Sequence, residues 1–338
     1  MSAFSEHAER YLALRRALGF KLVTEGRLLA DFVAFADAAG ASTFTIELAL
    51  KWARLPSSTS AVYLSYRMRA VRGFARYLSA LDPATEVPPL DLMPARRYRP
   101  APYIYSDADV LALMSAARRL RPRLRAATFE TLIGLLACTG LRIGEAIRLD
   151  RQHVDRGNGL LRIHDSKFGK SREVLIHETT LQALDRYLER RDQLRPTGDP
   201  QSLFISSRGT RLCHPTIYHT FHVLLRDADL ARPSPQRQPR VHDLRHTFAV
   251  KTLLGWYRGG GDVAGRVPLL STYLGHVDPA ATYWYLSAVP ELLGLAARRL
   301  ELAGERRSPE TASLAMALPG GGRARRSRRA RRQLEGVR

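Results

Sequence analysis

The chain has 338 residues, 45% of them hydrophobic, with 53 Lys or Arg against 32 Asp or Glu and a net charge of +21. That length suffices for two domains, and that charge points to a polyanionic partner rather than an acidic surface. No apolar run approaches the roughly 18 residues of a membrane span, and the N-terminus MSAFSEHAERYLALRR lacks a secretory core. The expectation is a cytoplasmic protein. Cys138 and Cys213 form no CxxC pattern, so neither a disulfide framework nor a zinc site is indicated, and Cys138, in LIGLLACTG, is expected to be a buried small hydrophobe.

Residues 1–82 read as a run of helices. HAERYLALRRALGF ends near Gly19, and TEGRLLADFVAFADAAG follows with a cap at Thr24 and a stop at Gly40. TIELALKWARL comes next, then STSAVYLSYRMRAVRGFARYLSAL, with Ser58, Thr59 or Ser60 as its cap. Arg67, Arg69, Arg72 and Arg76 are interleaved with aromatics in this last helix, and some of them share one side, which suits either a phosphate-contacting face or an ordinary solvated one. Residues 83–105 are proline-rich, carry Arg96, Arg97 and Arg99, and read as an extended linker.

A second domain is expected over residues 106–304. It opens with the N-capped helix SDADVLALMSAARRL. The apolar helix TFETLIGLLACTG closes at Gly140, and GEAIRL begins another. LLRIHDSKFGKSREVLIH reads as two short strands about a glycine-containing turn. Helical patterns resume at TTLQALDRYLERRDQL, HPTIYHTFHVLLRDADL and HDLRHTFAVKTLLGWY, the last broken by Gly259, Gly260 and Gly261. VPLLSTYLGH and DPAATYWYLSAVPELLGLAARRLEL end the domain. Residues 305–338 hold ten Arg against three acids, a low-complexity tail expected to be disordered, yet most of the positive charge lies outside it. The fold class is mainly α with a small β-hairpin or sheet.

Several residue types in this basic frame suit attack on a phosphodiester, which needs fixed cations, a nucleophile in line and a proton donor at the leaving oxygen. In TGLR, Arg142 stands three residues before Glu145, so a carboxylate can orient its guanidinium. In HDLRH, His242 and Arg245 share one helical side, whereas His246 points elsewhere and suits a partner inside the fold. Lys167 and Lys170 sit in the hairpin turn beside Arg172, and either could serve a leaving alkoxide. After LGH at Leu274 to His276, Asp278-Pro279 resembles a cap with proline at the first helical position, so Tyr283 and Tyr285 would lie about 200° apart on one helix. Only one of them can face a site shared with His276, and the residues alone leave both open.

In this order and spacing the motifs resemble the tyrosine recombinase (phage integrase) family, over residues 106–300 and more loosely over 5–80. The resemblance implies a SAM-like helical core-binding domain and a mixed α/β catalytic domain. It carries catalytic roles onto Arg142, Lys167, His242, Arg245, His276 and Tyr285. Tyr285 is selected because the family's tyrosine falls nine residues after the LGH histidine, and Lys167 because it matches the first lysine of the family's turn. Two departures stand out: GWYRGGGDVAGRVP is longer than the family's usual link, and the TYWYLSAVPELL ending is similar to recombinases carried by transposons and other mobile elements.

The resemblance implies a site-specific recombinase that cleaves double-stranded DNA through a 3′-phosphotyrosine, without cofactor or metal. It further implies a homo-tetramer, or a hetero-tetramer with sister recombinases, on paired sites, and a nucleoid-associated location. A type IB topoisomerase-like activity and a non-catalytic DNA-binding protein are the alternatives. The filled set of six positions argues against the second.

Overall fold

Local chain chemistry sets the first helices. Helix α1 (Ala3–Ala17) ends before Gly19, and α2 (Val23–Ala38) before Gly40, both glycines at positive φ, where a Cβ is unfavourable. Thr24 is not the cap of α2: the helix begins at Val23, after Leu22 in left-handed conformation, so Thr24 lies inside the first turn. Thr45 caps α3 (Ile46–Arg54), its hydroxyl accepting from Leu48 N at 3.1 Å, and Ser60 caps α4 (Ala61–Leu78), accepting from Tyr63 N at 3.3 Å.

This computed structural model describes residues 3–56, 60–93, 101–164, 171–195, 197, 199, 201–231, 238–260 and 262–301, the side chain of Ser287 excepted. Lys167, Lys170, Ser58, Thr59, the linker arginines Arg96, Arg97 and Arg99, and the tail 305–338 lie outside the described residues. Two compact units divide the chain, Met1–Arg99 and Pro100–Arg338. Among the described residues no helix is long and apolar enough to cross a membrane.

In the first unit, α1 to α4 enclose Phe32, Phe44, Trp52 and Phe74, all fully buried. Two of the four α4 arginines are taken up inside the unit. Arg67 is buried with its guanidinium 3.8 Å over the Trp52 ring, donating to the Trp52 carbonyl at 3.0 Å and to Asp31 at 3.3 Å. Arg72 donates to the Pro88 carbonyl at 2.7 Å, so it too serves the fold, while Arg69 and Arg76 are exposed. The proline-rich stretch after Asp82 packs partly on this unit: Val87, Leu92 and Met93 lie against its core, and Glu86 accepts from Ile46 N at 2.7 Å.

Early in the second unit the buried ring of Tyr105 precedes α5 (Asp107–Arg118) and its Ser106–Asp109 capping box. Helix α6 (Arg123–Thr139) is apolar on most sides and buried accordingly, ending at Gly140 (φ 62°), where a Cβ would meet the Phe248 ring at 2.6 Å. Cys138 is exposed, contrary to expectation: it occupies the last turn of α6, where its Sγ lies 3.6 Å from the Thr180 hydroxyl in an open groove. Helix α7 (Ile143–Arg148) and a 3₁₀ turn at Arg151–His153 lead to an antiparallel sheet in the order β1 (Val154–Asp155), β2 (Leu160–Ile163), β3 (Arg172–Leu175). Its register pairs Ile163 with Arg172 and buries Leu161, Ile163 and Val174 on one face. Helices α8 (Glu178–Leu194) and α9 (His214–Asp227) complete the main core. A separate apolar cluster joins α10 (Asp243–Arg258), α11 (Val263–Leu274) and α12 (Ala280–Ala288).

Candidate active site

The C-terminus of α11 organises the site. The last carbonyls of a helix lack intrahelical donors and form the negative end of its dipole. Here three consecutive ones each accept from a different arginine. Tyr273 O accepts from Arg172 Nε at 2.8 Å, Leu274 O from Arg245 Nη2 at 2.7 Å, and Gly275 O from Arg142 Nη2 at 2.7 Å. Gly275 closes the helix at φ 68°, and a Cβ there would stand 2.9 Å from Arg172 Nη1. Both the backbone conformation and the stacked guanidinium therefore call for glycine at this position.

Glu145 is the counter-charge. Its carboxylate, 2% exposed, takes Arg142 Nη1 at 2.7 Å and both Arg172 Nη atoms at 3.0 and 2.8 Å, and also accepts from Arg142 N at 3.0 Å. Burial alone would raise its pKa, but the hydrogen bond and charge of Arg172, together with the hydrogen bonds from Arg142, outweigh it and hold the carboxyl at about 2. Arg245 is 2% exposed and donates its other Nη to Gly140 O at 2.8 Å. Burial first, then the Arg142 charge, pushes its pKa down to about 9, which still leaves a cation at neutral pH.

The histidines and tyrosines complete the arrangement. His276 is half-buried, and its Nδ1 lies 2.6 Å from the hydroxyl of the fully buried Thr282. The expected cap is shifted by one residue: Pro279, not Asp278, stands at the cap position of α12, and Asp278 Oδ1 accepts from Ala280 N at 2.9 Å from just outside the helix. The two tyrosines of α12 diverge as their spacing demands: Tyr283 is 47% exposed, whereas Tyr285 is 1% exposed. The Tyr285 hydroxyl lies 2.8 Å from His246 Nδ1, and Tyr285 is near enough to Arg245 for the two to interact electrostatically. His242, half-buried at the start of α10, sets its ring 4.7 Å from that of His246 in a T-shaped pair.

The structure thus draws Arg142, Arg245 and His276 to one helix end and links Tyr285 and His242 to it through consecutive residues of α10. Lys167, the remaining expected site residue, lies outside the described residues. Sequence reasoning passed over three participants. Arg172 looked like one more turn cation, Thr282 carried no signal, and His246 was read as an internal partner without sight of the phenol it meets. What results is a cluster of largely buried guanidiniums, each held by hydrogen bonds, beside three imidazoles and a phenol, a setting that favours charge building up on a phosphate.

The phage integrase family model matches residues 105–291, which contain every one of these groups. The chain belongs to the phage integrase family. The integrase/recombinase y4rB of Sinorhizobium fredii is 44% identical over 315 residues, 91% of this chain and 100% of that protein. The tyrosine recombinase XerD of Pseudomonas aeruginosa is 29% identical over 242 residues, 70% of this chain and 74% of XerD. Among solved structures, the Tn1549 transposon integrase in complex with transposon right end DNA superposes with a TM-score of 0.62 at 17% identity, covering 87% of this chain and 98% of that one. XerH bound to palindromic difH substrate gives 0.60 at 20% identity, with 88% and 85% covered. These last two likenesses establish the fold. As a member of the tyrosine recombinase class of this family, the integrase is a DNA-acting enzyme of site-specific recombination.

Proposed function

We propose that this recombinase cleaves one DNA strand at a time through Tyr285, leaving a 3′-phosphotyrosine and a free 5′-hydroxyl, and that it moves or resolves a mobile element. The convergence of Arg142 and Arg245 on the end of α11 carries the reading, because it sets two fixed cations beside the helix that bears Tyr285. In this assignment Arg142, Arg245 and His276 hold the scissile phosphate and stabilise its charged transition state. Lys167 protonates the leaving 5′-oxygen, and His242 orients the site and assists proton movement. The phosphodiester energy is kept in the covalent link, so rejoining by a partner strand's 5′-hydroxyl needs no nucleotide.

The mobile-element assignment draws support from the likeness to the Tn1549 transposon integrase and to y4rB. Strand exchange between two sites calls for four protomers, alike or with sister recombinases. A lambda integrase dimer bound to a core site, at TM-score 0.55, is in keeping with assembly on DNA. Work of this kind places the protein in the cytoplasm, on the nucleoid.

The test mixes the protein with nicked suicide duplexes tiled across the DNA that flanks its gene and resolves the products on a denaturing gel. A covalent adduct lost in Tyr285→Phe and kept in Tyr283→Phe is the expected result. An adduct that survives Tyr285→Phe moves the nucleophile elsewhere. Tight binding of a flanking duplex with no adduct favours the non-catalytic alternative.

A further inference from the structure

One buried contact has no place in the scheme above. His246 is 4% exposed, Tyr285 is 1% exposed, and their facing atoms, Nδ1 and Oη, lie 2.8 Å apart. The imidazole sits among aromatic rings, with the His242 ring 4.7 Å away and the Trp284 ring at 5.7 Å. It also follows Arg245 directly in α10, so the helical turn that sets a phosphate-holding guanidinium sets this nitrogen too.

We propose that His246 orients the phenol of Tyr285 and receives its proton during strand cleavage. The inference rests on Tyr285 being the nucleophile. A neutral imidazole protonated on Nε2 offers Nδ1 as an acceptor to a phenolic O–H. The step balances. The Oη–H proton passes to His246 Nδ1, the Oη–P bond forms, the P–O5′ bond breaks, and the 5′-oxygen takes a proton from Lys167. Rejoining runs the same path backward, with His246 returning the proton to Tyr285. Because Oη is enclosed in the free chain, DNA binding has to open a path for the phosphate while leaving the bond to His246 in place.

The division of labour between the two ends of the reaction supplies the test. Single-turnover cleavage is measured on a nicked duplex and on the same duplex with a 5′-bridging sulfur, a leaving group that needs no proton, and DNA affinity is measured in parallel by gel shift. His246→Ala is expected to cleave about 100- to 1,000-fold more slowly on both substrates with its affinity within about twofold of wild type. His246→Asn, whose amide oxygen can still accept from the phenol but cannot take its proton, is expected to recover only about tenfold of that loss. A Lys167→Ala defect, by contrast, should shrink on the sulfur substrate. Unchanged cleavage in both His246 variants overturns the proposal, as does a His246 defect that vanishes with sulfur, which would move the residue to the leaving-group side. If thermal melting shows that His246→Ala does not hold its fold, the Asn variant alone decides by the same two comparisons. Tyr285→Phe separates the failures: an adduct surviving in it defeats the nucleophile assignment, whereas its loss beside normal cleavage by the His246 variants defeats this inference alone.

Discussion

Arg172 and Glu145 form a two-pronged ion pair, Nη1 to Oε1 at 3.0 Å and Nη2 to Oε2 at 2.8 Å, that joins the sheet to the arginine-bearing helix. The same guanidinium reaches Tyr273 O through Nε, so one side chain of β3 spans α7 and the end of α11. A planar fork can satisfy a carboxylate and a carbonyl at once, which a lysine ammonium cannot match in geometry. Arg172 is therefore a positioning residue: it fixes Glu145, and Glu145 fixes Arg142.

Glu145→Gln should be strongly destabilising at neutral pH, by about 3–5 kcal/mol, because it leaves two largely buried guanidiniums without their counter-charge. The sign of the pH dependence follows from the depressed pKa. A carboxyl ordinarily near 4.5 and held at about 2 in the fold contributes stability fully present above about pH 4.5 and lost as pH falls toward 2. That contribution is on the order of 3 kcal/mol. Urea unfolding at pH 7 and pH 3 should therefore give a wild-type to variant difference that narrows at the lower pH. A difference that stays constant would show that the Glu145 charge is not what holds these elements together.

Gly275→Ala tests the crowding at the end of α11. A left-handed alanine costs about 1–2 kcal/mol, and here its Cβ would also press on Arg172, whose side chain is 11% exposed. Thermal melting should show a fall of several degrees, roughly 2–4 °C for each kcal/mol in a domain of this size. Cleavage should fall further than melting alone accounts for, since displacing Arg172 disturbs Glu145. A variant with wild-type melting and cleavage would mean that the loop yields at little cost.

Much of this was legible in the sequence because its signals are local. Ser60, Gly19, Gly40 and Gly140 mark helix ends by their own conformational preferences, and Arg142 with Glu145 is a pair one helical turn apart. Long-range partners were not legible. Arg172 meets Glu145 from 27 residues away, and the acceptors at 273 to 275 are backbone carbonyls that every sequence possesses. Arg67 looked solvent-facing from its own helix, since nothing in that helix reveals Trp52 beneath it. Spacing announced that Tyr283 and Tyr285 must diverge, but only packing against α10 decides which turns inward.

The Arg-rich residues 305–338 should add DNA affinity without sequence preference. Each cation that neutralises a phosphate releases counterions, so the logarithm of affinity falls with the logarithm of salt, by roughly 0.9 for every contact. Deleting this segment should lower the slope on specific and random duplexes alike, while the ratio of the two affinities holds. An unchanged slope would assign the salt dependence to the remaining basic surface.

Thr282→Val isolates the support of His276. Valine keeps the shape of the fully buried threonine but removes the hydroxyl 2.6 Å from His276 Nδ1. Loss of one buried hydrogen-bond partner is worth about 1–3 kcal/mol, and if it falls on a group that contacts the phosphate, cleavage slows by about ten- to a hundredfold. Because the hydroxyl holds a ring orientation and does not itself meet DNA in this scheme, affinity should change little. Thr282→Ser, which retains the oxygen, should recover most of the rate. Single-turnover cleavage and gel-shift affinity on the same duplex separate the two effects. A Val variant that binds weakly but cleaves at the wild-type rate once saturated would make the His276–Thr282 contact part of DNA binding instead of transition-state stabilisation.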